Sequence, residues 1–182
     1  MTPEALRQYA ARDRLLDGRT LLVRAIRPDD KPALLDGLRR LSAESAYARF
    51  FQLKRKATPN ELTYFTEVDF ASHVAIVGIL EGASSVVGAG RYIVCEDVEG
   101  MRAAEIAFAV DDAHQGLGIG TTLLCHLVKI ARAAGVSEFR ASVLSDNHKM
   151  LRVLAHSGLP QSHTSDGDVV EVRLSLAEFP AD

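Results

Sequence analysis

The sequence predicts an α/β protein of one domain, residues 1–182, with a mixed central sheet flanked by helices. Short apolar, β-branched runs alternate with amphipathic helical segments along the chain. One helix lies directly between two strands, a connection that makes those strands parallel. The length of 182 residues is enough for one sizeable core and too short for two ordinary domains.

The composition is that of a globular protein without a basic surface. Hydrophobic residues make up 47% and charged residues 25% of the chain, and the net charge is −3, so the basic face that nucleic-acid binding needs is missing. Residues 1–16 are too charged for a signal peptide, and no run approaches the roughly 18 apolar residues of a membrane span. We expect a cytoplasmic protein without a membrane partner, in which Cys95 and Cys125 are buried, reduced thiols.

The N-terminal half contains one predicted strand and three helical segments. Residues 1–18 form an extension, helical over 3–14, that could serve a homodimer contact. A strand over 20–26 follows, and Pro28 with two acidic residues then starts an amphipathic helix. The sequence TPNE at 58–61 is a capping box with proline at the first helical position, which predicts a third helix.

The C-terminal half is richer in strands. The predicted elements are strands over 73–81, 86–96 and 103–110, a helix over 120–134, a strand over 138–144, a helix ending near 156 and a strand over 169–175. The first two strands form a hairpin across a turn of small residues. The helix over 120–134 is strongly amphipathic and should make its two flanking strands parallel.

The most informative segment runs from Gln115 to Thr121, with the sequence QGLGIGT, between a predicted strand and the amphipathic helix. Glycines at alternate positions let the backbone approach a ligand closely. Their amides lie at a helix N-terminus, which favours an anion. The segment is therefore predicted to cradle a phosphate or pyrophosphate. The alternative is a glycine-rich turn that only joins strand to helix.

Two other phosphate-binding patterns do not fit this segment. A P-loop requires Lys and then Ser or Thr after its last glycine, whereas Thr121 and Thr122 follow Gly120. A dinucleotide fingerprint requires glycine at the position of Thr121. The acidic ribose ligand of that fingerprint could only be Glu138, which opens a strand.

The pattern Gln-x-x-Gly-x-Gly, at Gln115, Gly118 and Gly120, resembles the GCN5-related N-acetyltransferase (GNAT) family. The resemblance covers roughly residues 19–175, and Asn147 in the last helix also matches that family.

The resemblance extends to the bacterial protein-lysine acetyltransferase branch of the family. The stretches concerned are AEIAFAV at 104–110, LSDN at 144–147, YARFF at 47–51 and VDF at 68–70.

The resemblance implies a mixed sheet of six to seven strands that splays between the fourth and fifth. Acetyl-coenzyme A, the cosubstrate, would lie in that gap, its pantetheine paired with the backbone of Phe108 and Val110 and its pyrophosphate on the loop amides. The implied cofactor-binding residues are Phe108, Ala109, Val110, Gln115, Gly116, Leu117, Gly118, Ile119, Gly120, Thr121 and Asn147. An amine would attack the thioester directly, and no metal is needed.

Glu105 is the predicted general base. An amine must be neutral to attack, so a lysine acceptor needs a group that takes its proton. By strand alternation Glu105 shares a face with the small residues Ala107 and Ala109, and we expect it to be partly buried there. A glutamate in this context is the base in the branch that the chain resembles. The alternative is a surface glutamate in an ion pair.

Asn147 has two interpretations, cofactor binding and capping of the last helix, and both can hold. Many members of the family have a tyrosine seven residues later that protonates the leaving thiolate. This chain has Leu154 there, so solvent or a residue of another segment would supply that proton.

The acceptor is left open by the sequence. A protein lysine and a small-molecule amine (amino acid, polyamine or drug) use the same cofactor residues, and a non-catalytic acyl-coenzyme A sensor is a third hypothesis. Tyr47, Arg49, Phe50 and Phe51 are candidates for the wall of the acceptor site, although core packing explains the aromatic residues equally well. The histidines have no ligand spacing, so no metal site is predicted.

Overall fold

The computed structural model describes residues 1–45, 57–83, 85–98 and 101–177, with only the backbone of 97 and 98. The aromatic cluster at 47–51 lies outside the described residues. The helices are α1 (Pro3–Arg7), α2 (Lys31–Arg40), α3 (Pro59–Thr66), α4 (Ile119–Ala133) and α5 (His148–Ala155), with 3-10 turns at Pro28–Asp30 and Asp112–His114. The strands are β1 (Ala10–Arg14), β2 (Thr20–Ala25), β3 (His73–Leu80), β4 (Val86–Val98), β5 (Met101–Val110), β6 (Glu138–Leu144), β7 (Gln161–Asp166) and β8 (Val169–Ser175).

The described strands form one mixed sheet in the order β1-β2-β3-β4-β5-β6-β8-β7. Every neighbouring pair is antiparallel except β5 and β6, which are parallel. Helix α4 connects these two strands, so the predicted crossover is confirmed. The sheet opens between β5 and β6, which are the fourth and fifth strands when the additional N-terminal strand β1 is set aside.

The prediction of a helix over residues 3–14 is wrong beyond Arg7. Residues Ala10–Arg14 are strand β1, which forms a hairpin with β2. The turn between them places Gly18 at a φ of 85°, and the Asp17 carboxylate accepts hydrogen bonds from the backbone and side chain of Arg19. The pairing with β2 supplies backbone hydrogen bonds that the local charge pattern does not reveal.

The N-terminal segment is part of the domain and packs on α4. The imidazole of His126, buried in α4, is hydrogen-bonded through Nδ1 to the Tyr9 hydroxyl and through Nε2 to Asp13 Oδ2 at 2.7 Å. Leu6 is fully buried in the core. Residues 1–18 therefore do not form a helical extension. They contribute the edge strand β1 and contacts with α4.

Strand β7 was not predicted. Its sequence QSHTSD is polar and mostly exposed, because it is an edge strand that pairs only with β8 among the described strands. Apolar alternation does not identify such a strand.

Helix α4 packs closely on β4 because that strand has glycines under the helix. A Cβ atom at Gly88 would lie 3.0 Å from Ile119, and one at Gly90 would lie 3.1 Å from Leu127. Ile119, Leu123 and Leu127 are fully buried on the predicted apolar face of α4. This packing holds the N-terminus of α4 next to the end of β5.

Both cysteines are exposed, so the prediction of buried thiols is wrong. Cys125 lies on the outer side of α4, and Cys95 lies near the end of β4 with its Sγ 3.6 Å from Ala103 O. An apolar run in sequence can still direct individual side chains to solvent when only one face of the element is covered.

Candidate functional site

The opening between β5 and β6 is the central feature of the site. The two strands pair only at Ala103, Ala104 and Glu105, opposite residues 138–140, and separate beyond that point. The Asp111 amide donates to Val87 O at 2.9 Å and the Ser137 amide donates to Arg102 O at 2.8 Å. These two bonds show which residues of β5 direct their N–H and C=O groups toward β4 and which direct them toward β6.

The alternation directs the peptide groups of Ile106, Phe108 and Val110 away from β4 and toward β6. Because β6 no longer pairs at these positions, their N–H and C=O groups line the gap. Phe108 and Val110 therefore lie on a free strand edge inside the sheet, and their pairing with pantetheine stays a prediction. Ala109 has its backbone toward β4 and its side chain on the opposite face from Phe108.

The glycine-rich loop follows at the end of β5 and leads into α4. Gly116 and Gly118 have φ angles of 78° and 88°, a region that favours glycine, and Gly118 is the N-cap of α4 without a side-chain cap. Within the described part of the chain, none of the N–H groups from Gly116 to Thr121 donates to a protein acceptor. These free donors lie at the positive end of a helix of 15 residues. The loop therefore has the donors and the field that an anion needs.

The Gln115 side chain is hydrogen-bonded within the protein at both ends of its amide and so stabilises the shape of this loop. Its Nε2 donates to Asp112 Oδ1 at 3.0 Å, and its Oε1 accepts from Lys149 Nζ at 2.7 Å. Asp112 in turn accepts from the Ser42 amide at 2.7 Å and the Ser45 hydroxyl at 2.5 Å. Gln115 thus links the loop to α5 and, through Asp112, to the segment after α2.

Asn147 is the N-cap of α5, and its Oδ1 accepts from the Met150 amide at 3.1 Å. The capping interpretation is thus confirmed, and the Nδ2 group has no hydrogen-bond partner among the described residues. Leu154, at the position of the tyrosine that many GNAT members have, is completely buried in the core and has no proton to donate.

Glu105 is the last residue of β5 that pairs with β6, at the point where the gap begins. It lies on the same face of the sheet as Ala107 and Ala109, as predicted. It is exposed, however, so the expectation of partial burial is wrong. Its neighbours on this face are too small to enclose its carboxylate.

A cavity of about 100 Å³ lies on the face of the sheet opposite α4, and Ala107 and Ala109, which share that face with Glu105, line it. Small residues of three strands, among them Ala75, Ala89 and Ala107, form its floor. Leu34, Leu38 and Leu41 from α2 and its C-terminal end form the opposite wall, and Phe65 of α3 and Arg91 of β4 also line it. The sequence analysis missed Arg91, although a lone arginine in the apolar run 86–94 was a visible signal.

The buried Asp111 lines this cavity and forms an ion pair with the more exposed Arg40. The pKa of the Asp111 carboxyl is raised by burial, but hydrogen bonds from Arg40 and from the Ala113 amide outweigh burial and hold it below its ordinary value. Arg40 Nε lies 2.5 Å from Asp111 Oδ2, and its Nη2 donates to Val86 O at 2.8 Å. The pair fastens the end of α2 to the strand that leads into the loop.

The described residues contain no cluster of His, Cys, Asp and Glu that could hold a metal ion. No helix among them is long and apolar enough to cross a membrane.

The opened parallel pair and its free amide loop define a protein that binds an extended, phosphate-bearing ligand in the middle of a sheet. The profile of the Acetyltransferase (GNAT) family matches residues 38–159. The chain is 38% identical over 142 residues to the acetyltransferase Pat of Mycolicibacterium smegmatis, covering 78% of this chain and 41% of that protein. This chain therefore belongs to the GNAT family of acyltransferases, and it spans less than half the length of the Pat protein.

Solved structures agree with this assignment. The GNAT domain of S. lividans PAT superposes with a TM-score of 0.84 at 32% identity, covering 91% of this chain and 96% of that one. The yncA protein of Salmonella typhimurium, solved with acetyl-CoA, has a TM-score of 0.70 at 21% identity, covering 88% and 96%. At that identity the second match supports the fold alone.

Proposed function

We propose that this chain transfers the acetyl group of acetyl-coenzyme A directly to a primary amine, with a protein lysine as the acceptor and Glu105 as the general base. The observation that carries the proposal is the strand edge of Ile106, Phe108 and Val110 beside the free amides of the loop. An extended pantetheine can pair with that edge, and a pyrophosphate can accept hydrogen bonds from those amides. The yncA protein, which shares the fold, was solved with acetyl-CoA.

The residues of the site have distinct tasks in this proposal. The peptide groups of Phe108 and Val110 hold the pantetheine, and the loop from Gln115 to Thr121 holds the pyrophosphate. Asn147 Nδ2 supplies a further donor near the end of β6, while its Oδ1 caps α5.

The reaction removes two protons from the ammonium nitrogen of the acceptor and adds one to the thiolate of coenzyme A. Glu105 takes a proton from the ammonium form of the acceptor, directly or through a water molecule, and leaves a neutral amine. The amine nitrogen attacks the thioester carbonyl carbon and the C–N bond forms. The C–S bond then breaks, and the nitrogen releases its second proton to solvent to leave a neutral amide. Because Leu154 has no proton to give, the departing thiolate takes its proton from solvent.

The lysine acceptor rests on the resemblance of the sequence to the bacterial protein-lysine acetyltransferase branch and on the position of Glu105. A small-molecule amine is a second candidate, and the cavity beside Glu105 favours it because it can enclose a small acceptor. The two candidates differ only in what binds on the α2 side of the sheet.

Titration calorimetry of acetyl-coenzyme A into the wild type and Glu105→Gln, with thiol release measured on lysine peptides and small amines, tests the proposal. We expect equal affinities and a loss of about 10²–10⁴-fold in kcat for the variant. Absence of acetyl-coenzyme A binding by the wild type would refute the proposed site. Binding without turnover of any amine would leave an acyl-coenzyme A sensor as the better hypothesis.

A further inference from the structure

Among the described residues, one cationic side chain lines the largely apolar cavity on the α2 side of the sheet. Arg91 is in the middle of β4, lines the cavity and is partly buried. Its guanidinium lies 4.3 Å from the centre of the Phe65 ring and 5.8 Å from that of Tyr64, both on α3. Stacking on an aromatic face holds a guanidinium in place without neutralising its charge.

No described carboxylate forms an ion pair with Arg91. The segment between α2 and α3 that lies outside the described residues, 46–56, contains no Asp or Glu, so it cannot supply one. Asp111 also lines the cavity, but its carboxylate is paired with Arg40. Among the described residues, Arg91 is thus an uncompensated positive charge between mostly small and apolar walls, where an anion would be bound strongly.

The positive charge of Arg91 affects the pKa of His73, on the neighbouring strand β3. Burial and the positive charge of Arg91 together lower the pKa of His73 to about 4, although Asp69 acts in the opposite direction. His73 is therefore neutral at pH 7 and adds no second charge to the cavity. Its Nε2 is buried without a hydrogen-bond partner among the described residues.

Arg91 and Glu105 stand on the same face of the sheet. Arg91 is opposite Ala107 in the register of β4 and β5, and Ile93 is opposite Glu105. Arg91 and Glu105 are therefore diagonal neighbours, with their Cα atoms about 7–8 Å apart. An acceptor that lies across Ala107 can place one group at each of these side chains.

We propose that the acceptor bound at this site carries a carboxylate in addition to the amine that is acetylated, and that Arg91 binds this carboxylate. The inference rests on the proposed function, since it places the amine at Glu105. Arg91 then acts as a specificity residue, pairing its planar guanidinium with the carboxylate through two parallel hydrogen bonds. The carboxylate can belong to a free amino acid or to an acidic residue adjacent to a lysine in a protein.

Matched acceptors test this directly. For the free amino acid, kcat/KM is compared among lysine, lysine amide and cadaverine. For the protein source, two N-acetylated peptides are compared that differ only in Glu or Gln beside the lysine. We expect the wild type to prefer the carboxylate in at least one series by about tenfold or more, mainly through KM. The series that shows the preference identifies the source.

Substitution of the arginine completes the test. Arg91→Gln should abolish the preference and leave the affinity for acetyl-coenzyme A unchanged, and Arg91→Lys should restore part of it. Arg12→Gln, which removes an exposed arginine of β1, is the matched control and should behave as the wild type. If Arg91→Gln does not fold, the wild-type comparison of acids with amides decides by itself.

The outcomes separate the two proposals. Turnover of amines with equal kcat/KM for each acid and its amide would overturn the role of Arg91 and leave the acetyltransferase intact. A preference for the carboxylate that persists in Arg91→Gln would also overturn the role of Arg91 and leave the acetyltransferase intact. Failure to acetylate any amine would overturn the proposed function, and this inference with it.

Discussion

Arg40 and Asp111 join the end of α2 to the end of β5 through an ion pair of 2.5 Å, in which the Asp111 side chain is 7% exposed and the Arg40 side chain 38%. Since β5 continues into the glycine-rich loop, this pair connects the α2 wall of the cavity to that loop. Asp111 also accepts a hydrogen bond from Ala113, which starts the turn that leads to Gln115.

Arg40→Gln should destabilise the fold by about 1–3 kcal/mol, because it leaves the buried Asp111 carboxylate without its main partner. The free energy of unfolding from urea denaturation measures this effect. Arg39→Gln removes an exposed pair with Asp36 on the same helix and should change stability by less than about 0.5 kcal/mol. Equal effects of the two substitutions would contradict the structural importance of the Arg40 pair.

Gly118→Ala should weaken acetyl-coenzyme A binding by about tenfold or more. A side chain at this φ of 88° strains the loop and displaces the amides that are proposed to bind pyrophosphate. Gly135→Ala is a matched control, since Gly135 has a φ of 75° and lies at the other end of α4. Both variants should lose about 1 kcal/mol of stability, and calorimetry should find reduced affinity only in Gly118→Ala.

Asn147→Ser separates the two roles of Asn147. Serine keeps a neutral oxygen that can cap α5 but lacks the Nδ2 donor, so stability should change by only a few tenths of a kcal/mol. Asn147→Ala, which removes the cap as well, should lose about 1 kcal/mol. If the amide binds the cofactor, both variants should show weaker acetyl-coenzyme A binding or slower turnover. Wild-type kinetics in Asn147→Ser would reduce Asn147 to a capping residue.

The free energy of unfolding should decrease as the pH is lowered from about 6.5 to about 4, and protonation of His73 in the unfolded chain should cause part of this decrease. Its pKa is about 4 in the folded protein, below its ordinary value of 6.5, because burial and the Arg91 charge oppose protonation. The unfolded chain therefore binds more protons in this window, and acid favours unfolding by up to about 2–3 kcal/mol.

His73→Gln should flatten this part of the stability profile, measured by urea denaturation at several pH values. His163→Gln, at an exposed position in β7, controls for the loss of a histidine. A profile for His73→Gln that has the same slope as the wild type between pH 4 and 6.5 would show that His73 does not cause the effect.

The parts of the site that are encoded locally could be predicted from the sequence. The loop from Gln115 to Thr121 could be recognised because its closely spaced glycines and the amphipathic helix after them are visible in consecutive residues. The parallel arrangement of β5 and β6 could be predicted because one helix, α4, connects the two strands. The free strand edge at Phe108 and Val110 came from the family resemblance, and the hydrogen bonds of Asp111 and Ser137 now give it a geometric basis.

The remainder depended on contacts between distant residues. Strand β1 was predicted as helix because its pairing with β2 is a tertiary interaction, and β7 lacks apolar alternation because it is an edge. The exposure of Glu105, Cys95 and Cys125 depends on which faces other elements cover.

The sequence by itself thus determined the family, the α/β class, the crossover and the position of the glycine-rich loop, because each is expressed in neighbouring residues or in periodicity. Only the tertiary structure decided that Arg91 and Glu105 share one face of the sheet beside a cavity under α2. Residues 91 and 105 are brought together by strand register, and register is set by long-range pairing rather than by local propensity.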